Sequence, residues 1–279
     1  MRTFTLGGAQ FSDSYGKYVP VEKLASEEIC HLLTIAKSSG INKIDLALNY
    51  TNASRNLANS GMTAIFDFST KIQFASDYED QLLDQIVEEL ILLDRSSFET
   101  VFIHNWFQLN NEERRKSLDL ISRMKADGLT RQIGISIYDE SELEGLDNSI
   151  SIIQAPLNFY NTQFVYSEKT RVLKERGIVF QARSIFHQGI LLNPTLELKE
   201  RYPDLSYFIE YCKRNKSTYL EACFEIFDNQ SIFSELVIGV ADIVQLKQVL
   251  DTSLKKSSIY QELEGLEFSS MFSDPRKWN

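Results

Sequence analysis

Apolar and polar positions along the chain switch repeatedly between two periods. Short apolar runs recur near Thr3–Ala9, Lys43–Leu46, Phe66–Thr70, Val101–Ile103, Gln132–Ser136, Ile152–Gln154, Val179–Ala182 and Leu236–Gly239, and each reads as a buried strand. Helical periodicity follows most of them, over Ser26–Ser39, Ala53–Ala58, Asp77–Leu93, Asn111–Ala126, Glu140–Leu146, Glu168–Arg176 and Ile243–Leu250. The clearest case is Asp77–Leu93, where Leu82/Leu83, Ile86/Val87 and Leu90/Ile91 share one face. Ser76 and Glu79, at its start, have the spacing of a capping box. The interval Leu191–Ser234 must hold at least two more helices, around Asp204–Arg214 and Thr218–Phe227.

One junction repeats three times: Lys37-Ser38-Ser39-Gly40-Ile41, Lys125-Ala126-Asp127-Gly128-Leu129 and Lys174-Glu175-Arg176-Gly177-Ile178. A cation at the helix end, then Gly, then an apolar strand is the chemistry of a helix-to-strand loop. Eight strand–helix units in 279 residues predict an α/β fold, a single (β/α)8 TIM barrel spanning residues 1–279. An open dinucleotide-binding sheet would carry GxGxxG after its first strand, and Leu6-Gly7-Gly8-Ala9 does not fit that pattern. No linker or low-complexity segment interrupts the pattern. The tail over residues 257–279 is polar and aromatic and is expected to fold back over the barrel mouth.

Composition narrows the function classes. A chain with 43% hydrophobic and 24% charged residues is neither collagen-like nor disordered. The longest aliphatic run, Leu90 to Leu93, falls far short of the ~20 residues needed to span a bilayer, so no membrane association is expected. The first residues show no apolar h-region, so no signal peptide is expected. With 29 basic against 39 acidic residues the net charge is −10, which argues against nucleic acid as a partner. Three cysteines without a CxxC suit a reducing cytoplasm, and three histidines without clustering predict no metal site.

In such a barrel, chemistry gathers at the C-terminal ends of the strands. Those ends carry Asp45 with Tyr50 just beyond, then Lys71, His104, Ser136, Gln154, Arg183-Ser184 and Gly239. A phenol with an unperturbed pKa of ~10 is a poor acid near neutrality, and a neighbouring ammonium lowers that value. A carboxylate beside the lysine holds it charged, and a neutral imidazole can donate to a substrate oxygen. That set suits protonating an alkoxide as it forms on a carbonyl, which is half of a hydride transfer; the other half needs a nicotinamide.

These segments together resemble the aldo-keto reductases. Gly40-Ile41-Asn42-Lys43-Ile44-Asp45-Leu46-Ala47-Leu48-Asn49-Tyr50 is similar to the family's strand-two signature. Ser69-Thr70-Lys71 resembles its lysine motif, Phe102-Ile103-His104-Asn105 its histidine motif, and Gly134-Ile135-Ser136, Gln154-Ala155-Pro156-Leu157-Asn158 and Val237-Ile238-Gly239-Val240 its cofactor-binding strand ends. The match runs from about Leu6 to Leu250. The resemblance implies Tyr50 as general acid, Lys71 and Asp45 as its tuning pair, and His104 as the carbonyl orienter. It implies Ser136 and Gln154 on the nicotinamide carboxamide. Arg183, Ser184, Gly239 and Asp242 would lie along the rest of an NADPH or NADH cofactor, with the helix near Asp242 as an anion site. Tyr15, Trp106, Phe186 and His187 are the candidate substrate pocket, and Phe11 and Trp278 are further aromatic candidates. The stretch Arg183–Leu191 resembles a branch associated with sugar and surface-polysaccharide metabolism, so the substrate would be a small carbonyl compound or sugar derivative. The expected assembly is a monomer or small homo-oligomer.

Three positions depart from the family pattern. Ile137 stands where Asn is usual after the strand-five Ser. Arg183 stands where an aromatic usually stacks on the nicotinamide; its plane can stack, but its charge opposes the oxidised ring. Asp242 stands where NADP-preferring members are basic, and no cation follows until Lys247. These departures leave the choice of NADPH or NADH open. They also keep a second function in view, a non-catalytic cofactor-binding barrel acting as a sensor or regulatory subunit. A third, a sugar lyase or isomerase using Lys71 as a Schiff-base former, is disfavoured by Asp45, which holds that lysine charged. Taken singly, the residues have plainer readings: a buried Asp45–Lys71 ion pair, a packed phenol at Tyr50, a core histidine at His104, strand caps at Ser136 and Gln154, and loop packing at His187.

Overall fold

The computed structural model describes residues 2–13, 24–254, 256–274 and 276. All eight expected strands form: β1 (Phe4–Gly7), β2 (Lys43–Asp45), β3 (Asp67–Ile72), β4 (Phe98–Ile103), β5 (Thr130–Ser136), β6 (Ile152–Pro156), β7 (Val179–Arg183) and β8 (Glu235–Ile238). Each pairs in parallel with the next, and β8 returns to β1 with Phe4 opposite Leu236, closing a (β/α)8 barrel. Closure leaves no sheet edge to protect.

The outer layer comprises α1 (Ser26–Ser38), α2 (Ala53–Asn59), α3 (Glu79–Leu92), α4 (Asn111–Ala126), α5 (Gln163–Tyr166), α6 (Glu168–Glu175), α7 (Leu196–Arg201), α8 (Leu205–Asn215), α9 (Tyr219–Asp228) and α10 (Ile243–Asp251). Beyond them lie α11 (Ile259–Leu263) and α12 (Ser270–Ser273). Helix α1 buries Ile29, Leu32, Leu33 and Ala36, the stripe its period requires. Each buried aliphatic side chain there contributes roughly 1.5–3 kcal/mol. Helix α3 buries Leu82, Ile86 and Leu90, while Val87 and Ile91 are exposed, so the apolar face is narrower than the paired pattern suggests.

The three repeated junctions end their helices alike. Gly40, Gly128 and Gly177 all have positive φ, at 86°, 76° and 90°. Ile41, Leu129 and Ile178 donate from their backbone N–H back to Ala36, Met124 and Leu173, the long bond of a Schellman motif.

Two local expectations are corrected. Ser76 does not cap α3: it opens a short 3-10 turn over Ser76–Tyr78, and Glu79 pairs with Arg123 on α4 at 2.6 Å instead. The helix expected over Glu140–Leu146 shrinks to a 3-10 turn at Glu140–Leu143. There Glu142 folds back to accept from the amides of Tyr138 (3.0 Å) and Asp139 (2.8 Å), and Gly145 turns left-handed with φ 63°. The turn therefore closes on itself before a second helical turn can form.

Candidate active site

Strand register builds the centre of the site. Asp45 ends β2 opposite Ser69, and Lys71 stands two residues further along β3, on the same face. Its ammonium donates to Asp45 Oδ2 at 2.5 Å and to the Leu46 carbonyl at 3.0 Å. Both side chains are almost fully buried, at 3% and 4% exposure. The Lys71 Nζ lies 5.9 Å from the Tyr50 ring centroid and 5.8 Å from that of Phe102. Tyr50 closes a turn by donating its backbone N–H to the Ala47 carbonyl, then leads into α2. Asp13 pins that segment to the loop after β1, taking hydrogen bonds from Asn52 (2.5 Å) and Asn56 (3.2 Å). His104 is the first residue past β4 and is tied to β3 through its N–H to the Ile72 carbonyl at 2.8 Å.

Burial dominates the electrostatics. It pushes the Lys71 ammonium below its ordinary range, with the Asp45 charge and hydrogen bond opposing that shift. It lowers His104 to about 3, helped by the charges of Lys71 and Arg183. The imidazole is therefore neutral throughout the physiological range, with one N–H to donate and one nitrogen to accept. Behind the pair, Glu89 of α3 is buried, accepts from Ser54 (2.6 Å) and Thr70 (3.3 Å), and is raised by desolvation.

A cavity of about 1120 Å³ opens over this centre. Asp45, Tyr50, Lys71, His104, Gln154, Arg183, Ser184, Phe186 and Gly239 all line it, so sequence reasoning brought most of its candidates to one place. Five candidates lie elsewhere, the first being Phe11, which is buried in the core. Trp106 is buried in the core, where its indole N–H donates to the Glu142 carbonyl at 3.3 Å, and it does not reach the cavity wall. His187 is also buried away from the wall, with Nε2 2.9 Å from the Phe272 carbonyl. Asp242 is exposed and caps α10, accepting from the Gln245 N–H at 2.7 Å. Ser136 does not line the cavity; it is buried at the end of β5, opposite Gln154, which does. Tyr15 and Trp278 fall outside the described residues.

Tyr138, Gln10 and Glu221 line the cavity without having been singled out from the sequence. For Tyr138 the signal is long-range. Its ring carries the Arg183 guanidinium at 4.1 Å and that of Arg276, from the tail, at 3.9 Å. Where the family pattern has Asn, the Ile137 side chain is buried, and its carbonyl accepts from Arg183 Nη2 at 2.9 Å. Two of the three sequence departures therefore meet in one contact. The rim just past Arg183 is strained, with Ser184, His187 and Gln188 at φ 61°, 48° and 53°.

The residues present suit a nicotinamide carboxamide. Gln154 Oε1 and Ser136 Oγ are buried with no hydrogen-bond partner among the described residues. The other end of the Gln154 amide is fixed, donating to Gln181 Oε1 at 2.6 Å, and Gln181 in turn donates to Glu235 at 3.1 Å. A ready acceptor and a ready hydroxyl thus stand at adjacent strand ends. Among the described lining residues the only Lys or Arg side chains are Lys71 and Arg183; Glu221 and Asp251 supply acidic groups.

The aldo/keto reductase family model matches residues 3–251. A search of curated proteins by sequence finds no match. Among solved structures, the glycerol dehydrogenase AKR11B4 from Gluconobacter oxydans superposes with a TM-score of 0.69 at 14% identity, covering 94% of this chain and 90% of its own. A Pseudomonas aeruginosa protein proposed to be an aldo-keto reductase gives 0.68 at 15% identity, with 90% and 89% covered. The aldo-keto reductase MGS-M4, from a Medee basin deep-sea metagenome library, gives 0.65 at 14% identity, with 96% and 92% covered. At these identities the structural likeness speaks to the fold.

Proposed function

The chain belongs to the aldo/keto reductase family, and we propose that it moves hydride between a nicotinamide cofactor and the carbonyl or alcohol of a small molecule. The observation that carries this reading is the buried Lys71–Asp45 pair beside Tyr50, with a neutral His104 opening into the same cavity. A bound reduced nicotinamide supplies the hydride. Ser136 and Gln154 would hold its carboxamide. The imidazole of His104 donates a hydrogen bond to the substrate oxygen and sets the carbonyl face. Tyr50 gives its phenolic proton to that oxygen as negative charge develops on it. The Lys71 ammonium stabilises the resulting phenolate, Asp45 holds the ammonium in place, and solvent returns the proton through the open mouth. A sugar or sugar derivative is the substrate class that the Arg183–Leu191 stretch suggests, and the cytoplasm is the location that the cysteine usage suggests.

Tyr50→Phe is expected to abolish turnover, a loss of at least about 100-fold for a general acid, while NADH still binds by fluorescence titration. Turnover near that of the unmodified protein would sink the mechanism. The same titration reads cofactor choice. NADH is expected to bind more tightly than NADPH, because Glu221 and Asp251 line the cavity and Asp242 already occupies an amide at the start of α10. The departure at Ile137 favours one alternative, a barrel that binds cofactor without turning it over; loss of reduced cofactor over many turnovers with any carbonyl would remove it.

A further inference from the structure

Among the described residues, the cavity holds one cation with no neutralising partner. Lys71 is balanced by Asp45 at 2.5 Å, and His104 is neutral. Arg183 has no carboxylate partner among the described residues. Two of its five N–H donors are used, on the Ser184 hydroxyl at 3.3 Å and the Ile137 carbonyl at 2.9 Å, and both acceptors are uncharged. The second guanidinium on the Tyr138 ring makes the contrast plain, since Arg276 is paired with Asp274 at 2.7 Å.

Arg183 is also aimed and held. It ends β7 two residues past Gln181, whose side chain bonds Gln154 and Glu235 within the barrel, so strand alternation turns both the same way. It lines the same cavity as Lys71, His104 and Tyr50, and its charge acts on the first two. The Tyr138 face at 4.1 Å and the Ile137 carbonyl fix the guanidinium plane before any ligand arrives. A half-buried, pre-positioned guanidinium with donors to spare is the group that recognises a planar carboxylate through paired hydrogen bonds.

We propose that Arg183 is a specificity-determining residue that binds a carboxylate carried by the substrate, so that the preferred substrates are carbonyl compounds bearing an acid group, such as oxo acids or acidic sugars. This rests on the carbonyl-reducing reading above. The donors left over on Arg183 meet the carboxylate while the carbonyl oxygen lies against Tyr50 and His104. The sequence departure at this position then exchanges ring stacking on the cofactor for charge recognition of the substrate.

The test compares 4-carboxybenzaldehyde with its neutral relative methyl 4-formylbenzoate, whose aldehyde is intrinsically the more electrophilic, so that any preference for the carboxylate is not an effect of reactivity. The unmodified protein is expected to favour the carboxylate by 10-fold or more in kcat/KM. In Arg183→Met that ratio is expected to fall by about 10- to 100-fold, the usual consequence of losing a hydrogen bond to a charged group, with Arg183→Lys between the two. A ratio near one in the unmodified protein overturns the proposal while leaving the reductase reading intact. A high ratio that survives Arg183→Met assigns the selectivity to another group and also overturns it. NADH affinity, measured in parallel by fluorescence, separates the remaining source of anion: if Arg183→Met weakens NADH binding and leaves the ratio unchanged, Arg183 serves the cofactor diphosphate and the proposal fails. If neither aldehyde turns over, calorimetry with benzoate decides the anion site. Binding that Arg183→Met abolishes supports the site, and no binding to the unmodified protein overturns it.

Discussion

Two histidines on this chain are kept neutral by burial, and they serve different ends. His104 faces the cavity, where a neutral ring can donate to a carbonyl oxygen without adding a third cation beside Lys71 and Arg183. His187 is fully buried outside the cavity and is lowered to about 4, against the opposing effect of its hydrogen bond to the Phe272 carbonyl. For His187 the folded value lies below the ordinary imidazole value of 6.5, so between the two the unfolded chain takes up a proton that the folded chain refuses. Its contribution to stability is full above about pH 6.5 and is lost as pH falls towards 4. The loss amounts to about 3 kcal/mol at most. Denaturant unfolding at pH 7, 5.5 and 4.5 is expected to show this decline, and His187→Gln is expected to flatten it. An identical pH slope in that variant would mean that His187 titrates alike folded and unfolded.

At the scale of elements, the three Gly-ended helices isolate one energetic term. A Cβ added at Gly40, Gly128 or Gly177 meets nothing within 4 Å, so alanine there would clash with no neighbour. The cost is then the left-handed backbone alone, about 1–2 kcal/mol at each site. Thermal unfolding of the three single alanine variants is expected to show similar losses; a site with no loss would have found another way to end its helix. These junctions were legible in the sequence because their chemistry is local: a cation, a glycine and an apolar residue within five positions. The strands were legible for the same reason, and the residues at their ends gave Asp45, Lys71 and His104 their places. The substrate side was less legible. Trp106 sits near His104 in sequence, yet its indole is drawn into the core by the Glu142 carbonyl. Tyr138 matters because Arg183 and Arg276 reach it from distant parts of the chain. No periodicity carries that information. The same limit explains why Arg183 looked like a defect in the family pattern, when its partners are the carbonyl of Ile137 and the ring of Tyr138.

At the scale of the whole molecule, the tail is joined to the barrel at its strained rim. Helix α11 docks through buried Ile259 and Leu263, and Arg214 of α8 pairs with Glu262. Further on, Phe272 is buried with its ring stacked on Tyr202 at 4.7 Å and edge-on to His187 and Tyr160. Its carbonyl meets His187, three residues past Ser184 on the loop after β7. Arg276 then reaches Phe107 and Tyr138, on the loops after β4 and β5. One segment therefore contacts the loops that follow three different strands. Removing the Phe272 ring should empty a site walled by aromatic rings that cannot easily collapse, which typically costs 3–5 kcal/mol. Phe272→Ala is expected to lose about that much in a single unfolding transition if tail and barrel unfold together. A loss under about 1 kcal/mol, with faster hydrogen exchange confined to residues 259–276, would instead show that the tail detaches on its own. In that case Arg276 would leave Tyr138 without unfolding the barrel, and the rigidity assigned to Arg183 would have to come from Ile137 and Tyr138 alone.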